Sequence, residues 1–161
     1  MGTDAAVAAR LAATAPVLAR QLGLPLLPPL DPAVGPDRAL AALAVGAAGP
    51  GLVPLPQDPG LLLAQGGTWA AALGAWRQPC LLLLEADQLS TGVVVSTVAL
   101  LQQQGVPLLG LIQWGEPWQP ELRRCDGLPW LGALTPGGEP EGVDLRAALA
   151  LRLAAQGAEA A

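Results

Sequence analysis

Four apolar runs between residues 60 and 134 limit what this chain can fold into more than any other feature. They read "GLLLAQGG" (60–67), "PCLLLLE" (79–85), "VPLLGLIQWG" (106–115) and "LPWLGAL" (128–134). None alternates polar with apolar residues, as a strand with one wet face would. Each of the first three is followed by a segment that reads as helix: "WAAALGAW" after a capping Thr68, "TGVVVSTVALLQQQG", and the short "PELRRCDG". The second segment holds three valines, yet its length, its "ALLQQQ" ending and Gly105 favour helix. Apolar strands separated by helices are expected to form a mainly parallel sheet covered on both faces, built from right-handed βαβ units. The expected fold class is α/β, a three-layer sandwich, with the leucines of 81–84 in a central strand.

The rest of the chain is organised around that core. Residues 1–161 read as a single domain, with a divergent N-terminal part over 1–58, the core over 60–134 and a C-terminal helix over 143–156. The opening "TDAAVAARLAATAPVLARQLG" reads as helix, broken or kinked at Pro16, where a hydrogen-bond donor is lost. "LPLLPPLDP" (24–32) is extended, but its prolines argue against a central strand. A helix is expected over Asp37–Val45, with Pro36 at its start and Gly46 at its end. Four prolines and three glycines make residues 49–60 loop.

Hydrophobic residues make up 52% of the chain and charged residues 13%, which raises the question of a membrane span. The longest charge-free run, Gln88 to Gly115, is interrupted by three consecutive glutamines, a glycine and a proline. A spanning helix needs about 20 predominantly apolar residues. The N-terminus lacks the basic-then-apolar order of a signal peptide. A cytoplasmic protein without a membrane partner is expected. Net charge is −5, and the eight arginines are scattered, so no nucleic-acid partner is expected either. Cys80 and Cys125 read as two separate thiols.

The missing residue types narrow the chemistry further. The sequence contains no histidine, lysine, tyrosine or phenylalanine. Ser-His-Asp and Cys-His catalysis, lysine Schiff bases and histidine-containing metal sites therefore fall away. Carboxylates, arginines, hydroxyls, thiols and main-chain N–H groups remain.

In open parallel sheets ligands bind beyond the carboxyl ends of the strands. Three loops qualify. Gln65, Gly66 and Gly67 would allow close backbone approach to a ligand, or form a plain tight turn. Glu85 and Asp87 follow an apolar strand and could accept a proton, or simply be solvated. Ser90 and Thr91 sit where a helix N-cap belongs, and a helix start can also take an anion. Gln113, Trp114, Gly115 and Glu116 close the third run, and Trp114 and Trp118 could stack on a planar ring or pack as core. No catalytic residue is assigned, and no metal site is expected.

Taken together, "LLLAQGG", "QPCLLLLEADQLST", "ALLQQQGVPLLGLIQWG" and "DGLPWLGALTP" resemble the C-terminal half of dethiobiotin synthetase and, more widely, the ParA/MinD-like P-loop NTPases. The match covers residues 60–134. It implies a P-loop-like sheet, here shortened, with a nucleotide at the strand ends. Three departures bear on activity. Trp114 stands where the family's base-reading asparagine is expected. "LLLAQGG" lacks the family's magnesium-holding acid ahead of its glycine pair. Gly2-Thr3-Asp4 align with the start of the family's phosphate loop, but its Gly-Lys-Thr falls on Ala8-Ala9-Arg10. Without a lysine, no phosphate-loop lysine can reach β- and γ-phosphates.

The resemblance with its departures therefore implies a degenerate, non-catalytic binding or interaction module that needs no cofactor. A homodimer, a protein partner and a small-molecule ligand are all compatible with it. The alternative is an active ATP-dependent ligase of biotin biosynthesis, using ATP and magnesium, with Arg10 or another arginine replacing the lysine. A start upstream of Met1, restoring a strand and a phosphate loop, is a further reading.

Overall fold

The computed structural model describes residues 4–46, 49–135, 137, 140–141 and 144–159. Helices α1 (Asp4–Leu22), α2 (Pro36–Gly46) and α3 (Trp69–Ala75) precede strand β1 (Cys80–Glu85). A single helical turn, α4 (Ala86–Leu89), and helix α5 (Val93–Gln103) lead to β2 (Leu108–Trp114). Helix α6 (Pro120–Cys125), β3 (Trp130–Leu134), the two-residue β4 (Pro140–Glu141) and α7 (Leu145–Glu159) complete the described chain. The sheet order is β1-β2-β3-β4, with the first three strands parallel and β4 antiparallel to β3. The protein is thus mixed α/β, with a small three-stranded parallel sheet.

Strand alternation explains how the unbroken leucine runs are used. Successive side chains point to opposite faces. Leu81 and Leu83 pack with Leu18 and Leu22 of α1 and Leu145 and Leu149 of α7. Leu82 and Leu84 pack with Val94 and Val98 of α5 on the other face. A second cluster on that side joins Leu40 of α2, Trp69 and Leu73 of α3, and Leu101 to Cys80 and Leu108, near the starts of β1 and β2. β2 lies between β1 and β3 and is buried from Leu109 to Gln113. Its Gly110 (φ +156°) lets β3 approach, since a Cβ there would lie 2.6 Å from Leu131 Cγ and 2.8 Å from Pro129 O.

Several sequence expectations hold. Thr68 caps α3, its Oγ1 accepting from Ala71 N at 3.1 Å. Pro36 opens α2, and Gly105 (φ +69°) follows the end of α5. The final helix is described from Leu145, so the expected start at Val143 lies outside the described residues, as do Gly2 and Thr3.

Four expectations are corrected. The first apolar run is not a strand: Leu61 N bonds to Asp58 O, Gly66 N to Leu63 O, and Leu63 N to Gly67 O. These local turns use the donors a ladder would need, and Leu62 is left 73% exposed. The strand of residues 81–84 is not central, because β2 takes that place and β1 is half-buried. α1 continues through Pro16 without a break. The lost hydrogen bond is offset by burial of Ala15, Leu18, Ala19 and Leu22 along one face. Finally, the turn after β1 is a helical turn, and Gly92, not Ser90 or Thr91, holds the N-cap position of α5.

Candidate functional site

The carboxyl ends of the three parallel strands meet at one edge of the sheet. Glu85 pairs in register with Trp114, and Trp114 with Leu134. Gly115 N donates to Leu134 O at 3.0 Å, so the chain leaves β2 tied to the end of β3. Gly115 has φ +96°, a left-handed turn that glycine takes at little cost.

Glu85 is the acid best placed for chemistry, and it is engaged. Arg10 Nε of α1 lies 3.0 Å from its Oε2, with both side chains about a quarter to a third exposed (25% and 30%). Glu85 N donates to Gln88 Oε1 at 2.9 Å, as part of a capping box that starts α4. The carboxylate therefore both neutralises Arg10 and anchors the turn that carries Asp87. Asp87 is exposed. Ser90 Oγ donates to Asp87 O and Thr91 Oγ1 to Gln88 O, at 3.3 and 2.7 Å. Thr91 Oγ1 also accepts from Val93 N at 3.3 Å. These hydroxyls close α4 and hand the chain to α5.

Gln113 is buried, with 1% of its surface exposed. Its Nε2 donates to Glu116 O (2.9 Å) and Pro117 O (3.3 Å), and its Oε1 accepts from Arg123 Nε (3.1 Å). Arg123 stacks 5.0 Å above the Trp130 ring and lies 3.8 Å from Asp126. Asp126 accepts from Trp130 Nε1 at 2.9 Å, and Trp118 meets Trp130 edge-on at 6.1 Å. This braced cluster folds the 115–119 loop back onto α6 and β3. The amide of Gln113 thus reads its own loop, since a buried polar group must find partners within the protein.

A recess beside the cluster is lined by Leu89, Val94, Val95, Arg123, Leu128 and Trp130, and offers about 70 Å³ to water-sized molecules. Small-molecule pockets usually run from about 300 Å³ upward. The recess in this conformation is too small for a nucleotide.

The structure brings Glu85, Asp87, Ser90, Thr91, Gln113, Trp114, Gly115 and Glu116 to the same sheet edge. It does not bring Gln65, Gly66 and Gly67 there. Leu63, beside them, packs with the cluster that contains Cys80 and Val106, by the amino ends of β1 and β2. Gly66 and Gly67 (φ +87° and +78°) form a left-handed turn with open space where a Cβ would stand. Trp114 packs toward α1 and α7 with Ile112 and Leu134, as core. Arg123, Asp126 and Trp130 form a unit that no motif in the sequence announces. The spacing Arg123-x-x-Asp126 was the available signal, together with a tryptophan four residues on.

Among the described residues no group of three His, Cys, Asp or Glu side chains could hold a metal ion. Cys80 and Cys125 are free thiols. Burial pushes the Cys80 thiol up from 9.0 to about 12, so it is no nucleophile at neutral pH. No described helix is long and apolar enough to cross a membrane. Comparison of the chain with protein families, with curated proteins and with solved structures finds no match.

Proposed function

We propose that this chain is a degenerate, shortened relative of the dethiobiotin synthetase branch of P-loop proteins, acting as a non-catalytic binding or interaction module in the cytoplasm. One observation carries the reading: the two least exposed polar side chains at the strand ends are spent on the protein itself. Glu85 is held by Arg10, and Gln113 by its own loop and Arg123. Catalytic groups need to face a reacting atom within about 2.6–3.2 Å of a proton they move. A small parallel sheet with helices packed against both faces supports the shortened P-loop-like sandwich. The absence of lysine supports the loss of phosphate transfer.

The test is isothermal titration with ATP and magnesium, followed by a turnover assay. No saturable binding in the micromolar range and no turnover are expected. Micromolar binding with hydrolysis would overturn the proposal.

A second reading has one observation in its favour. Arg10, which aligns with the last position of the family's phosphate-loop motif, sits at the carboxyl end of β1. In an active ligase it would leave Glu85 to meet a phosphate. Product from diaminopelargonate, bicarbonate and ATP above the no-enzyme blank, lost in Arg10→Ala, would establish that reading.

A further inference from the structure

β1 is an outer strand, since the sheet runs β1-β2-β3-β4. Alternate residues of a strand turn their main-chain N–H and C=O groups to opposite sides. Cys80 N donates to Pro107 O, just before β2, at 3.0 Å. Leu111 N donates to Pro129 O on the β3 side, so the pairing of Leu82 with Leu111 runs through the main-chain groups of Leu82. Cys80, Leu82 and Leu84 therefore face β2. Leu81 and Leu83 turn their N–H and C=O groups outward, as does Glu85, whose N–H goes to Gln88 Oε1. Among the described residues no main-chain group bonds to Leu81 or Leu83 from that outer side.

The two sides of the sheet end differently. β3 is flanked by the two-residue β4, which is short and carries Pro140, devices that blunt an edge. β1 has no proline and no arginine within Cys80–Glu85, and its one charge, Glu85, is held by Arg10. Leu111 and Ile112 of β2 have no exposed surface, whereas Leu81, Leu82 and Leu83 of β1 are half-buried within the same clusters. The strands share their covering helices, so the difference lies in the outer edge. Leu52 packs in the cluster of Leu81 and Leu83, but the main-chain bonds of its segment go to Pro25, Leu27 and Leu30. That segment adds no ladder to β1.

We propose that the outer edge of β1 pairs with the same edge of a second copy of this chain, antiparallel about a two-fold axis at Leu82. In that register Leu81 meets Leu83 of the second copy as a hydrogen-bonded pair, which exchanges both main-chain bonds, and Leu83 repeats the exchange with Leu81 across the axis. Leu82 stands opposite Leu82, and Glu85 opposite Pro79, so no like charges meet. A second copy meets the demands of the edge by symmetry, because each strand brings the same outward pair and the same uncharged run. A shift of one residue would set outward groups against groups already bonded to β2. The inference goes beyond the reading above and stands whether or not a nucleotide binds at the strand ends.

Sedimentation and hydrogen exchange of the unmodified chain, taken together across a dilution series, test the proposal. A dimer that dissociates on dilution is expected. The Leu81 and Leu83 amides should exchange at least tenfold more slowly in the dimer than in the monomer, while Leu82 and Leu84, bonded to β2, stay slow in both. Leu83→Pro removes an outward donor and spares the β1–β2 ladder, and should weaken the dimer about tenfold. Should that variant fail to fold, Leu82→Cys in a chain carrying Cys80→Ala and Cys125→Ala gives a separate readout. Facing Cα atoms at such a pair lie about 4.5 Å apart, within the span of a disulfide, so air oxidation should link two copies. Exposed Ser96→Cys in the same background should not link. A chain that stays monomeric up to about 1 mM, the millimolar limit of useful affinity, overturns the proposal. So does a dimer whose Leu81 and Leu83 amides exchange as fast as in the monomer. Slow exchange of both amides in the monomer overturns it too, because the chain's own segments would then close the edge.

Discussion

Arg10 and Glu85 meet at 3.0 Å across the carboxyl end of β1, and this pair joins α1 to that edge of the sheet. Partly exposed pairs of this kind are screened by solvent and typically contribute about 0.2–1 kcal/mol. Arg10→Gln and Glu85→Gln are each expected to lower stability by about 1 kcal/mol, with a coupling near 0.5 kcal/mol in the double-mutant cycle. Urea denaturation of the four proteins measures both. Additive effects would mean that the two side chains do not act on each other.

Gly74 packs against the end of α5 so closely that a Cβ would stand 1.8 Å from Gln104 O. Backbone cannot yield as a flexible side chain can. Gly74→Ala is expected to cost about 3 kcal/mol through overpacking. Gly92, with φ −71° and open space around it, is the control. Gly92→Ala should be neutral or stabilise by about 0.4–1 kcal/mol, by narrowing the unfolded chain's choices. Thermal melts of the two variants should move apart.

The Gln113 side chain makes three hydrogen bonds in a space with almost no solvent. Gln113→Leu keeps the bulk and strands Arg123 Nε and the Glu116 carbonyl, a loss of about 2–3 kcal/mol. Hydrogen exchange in the 115–119 loop should accelerate in the same variant. Unchanged exchange there would show that the loop is held by other contacts.

Cys80 links stability to alkaline pH. Its thiol is pushed up to about 12 by burial, against 9.0 in the unfolded chain. The raised value means that the folded state keeps a proton the unfolded state releases. Its contribution is therefore full below pH 9 and is lost as pH rises from 9 towards 12. The slope approaches about 1.4 kcal/mol per pH unit inside that window. Denaturation midpoints should fall across it, and Cys80→Ala should flatten the fall. In thiol labelling at pH 8, exposed Cys125 should react first and half-buried Cys80, with its raised thiol, more slowly.

Much of the fold is legible in local sequence. Leucine runs bounded by proline and glycine mark β1, β2 and β3, and Thr68, Pro36 and Gly105 punctuate helices through backbone chemistry that needs no distant partner. "GLLLAQGG" misleads for a physical reason: apolar content favours burial, but strand formation also needs a free edge to pair with. Here short-range turns at Asp58, Leu63 and Gly67 take the donors first. Pro16 misleads in the opposite direction, because the cost of a missing donor is local while the packing that offsets it comes from β2, β3 and α7.

The candidate site divides along the same line. Glu85, Gln113 and Trp114 stand at strand ends because their places in the apolar runs require it. Which groups they meet is another matter. Arg10 lies 75 residues before Glu85, and Arg123 ten residues beyond Gln113. No local spacing rule specifies such encounters, since side chains distant along the chain meet only when helices settle on a sheet. Residue types and strand rhythm thus set the architecture and its short list of chemically capable groups. Packing settled that Glu85 and Gln113 are satisfied within the fold, because a buried or half-buried polar group binds whatever partner the fold places within reach.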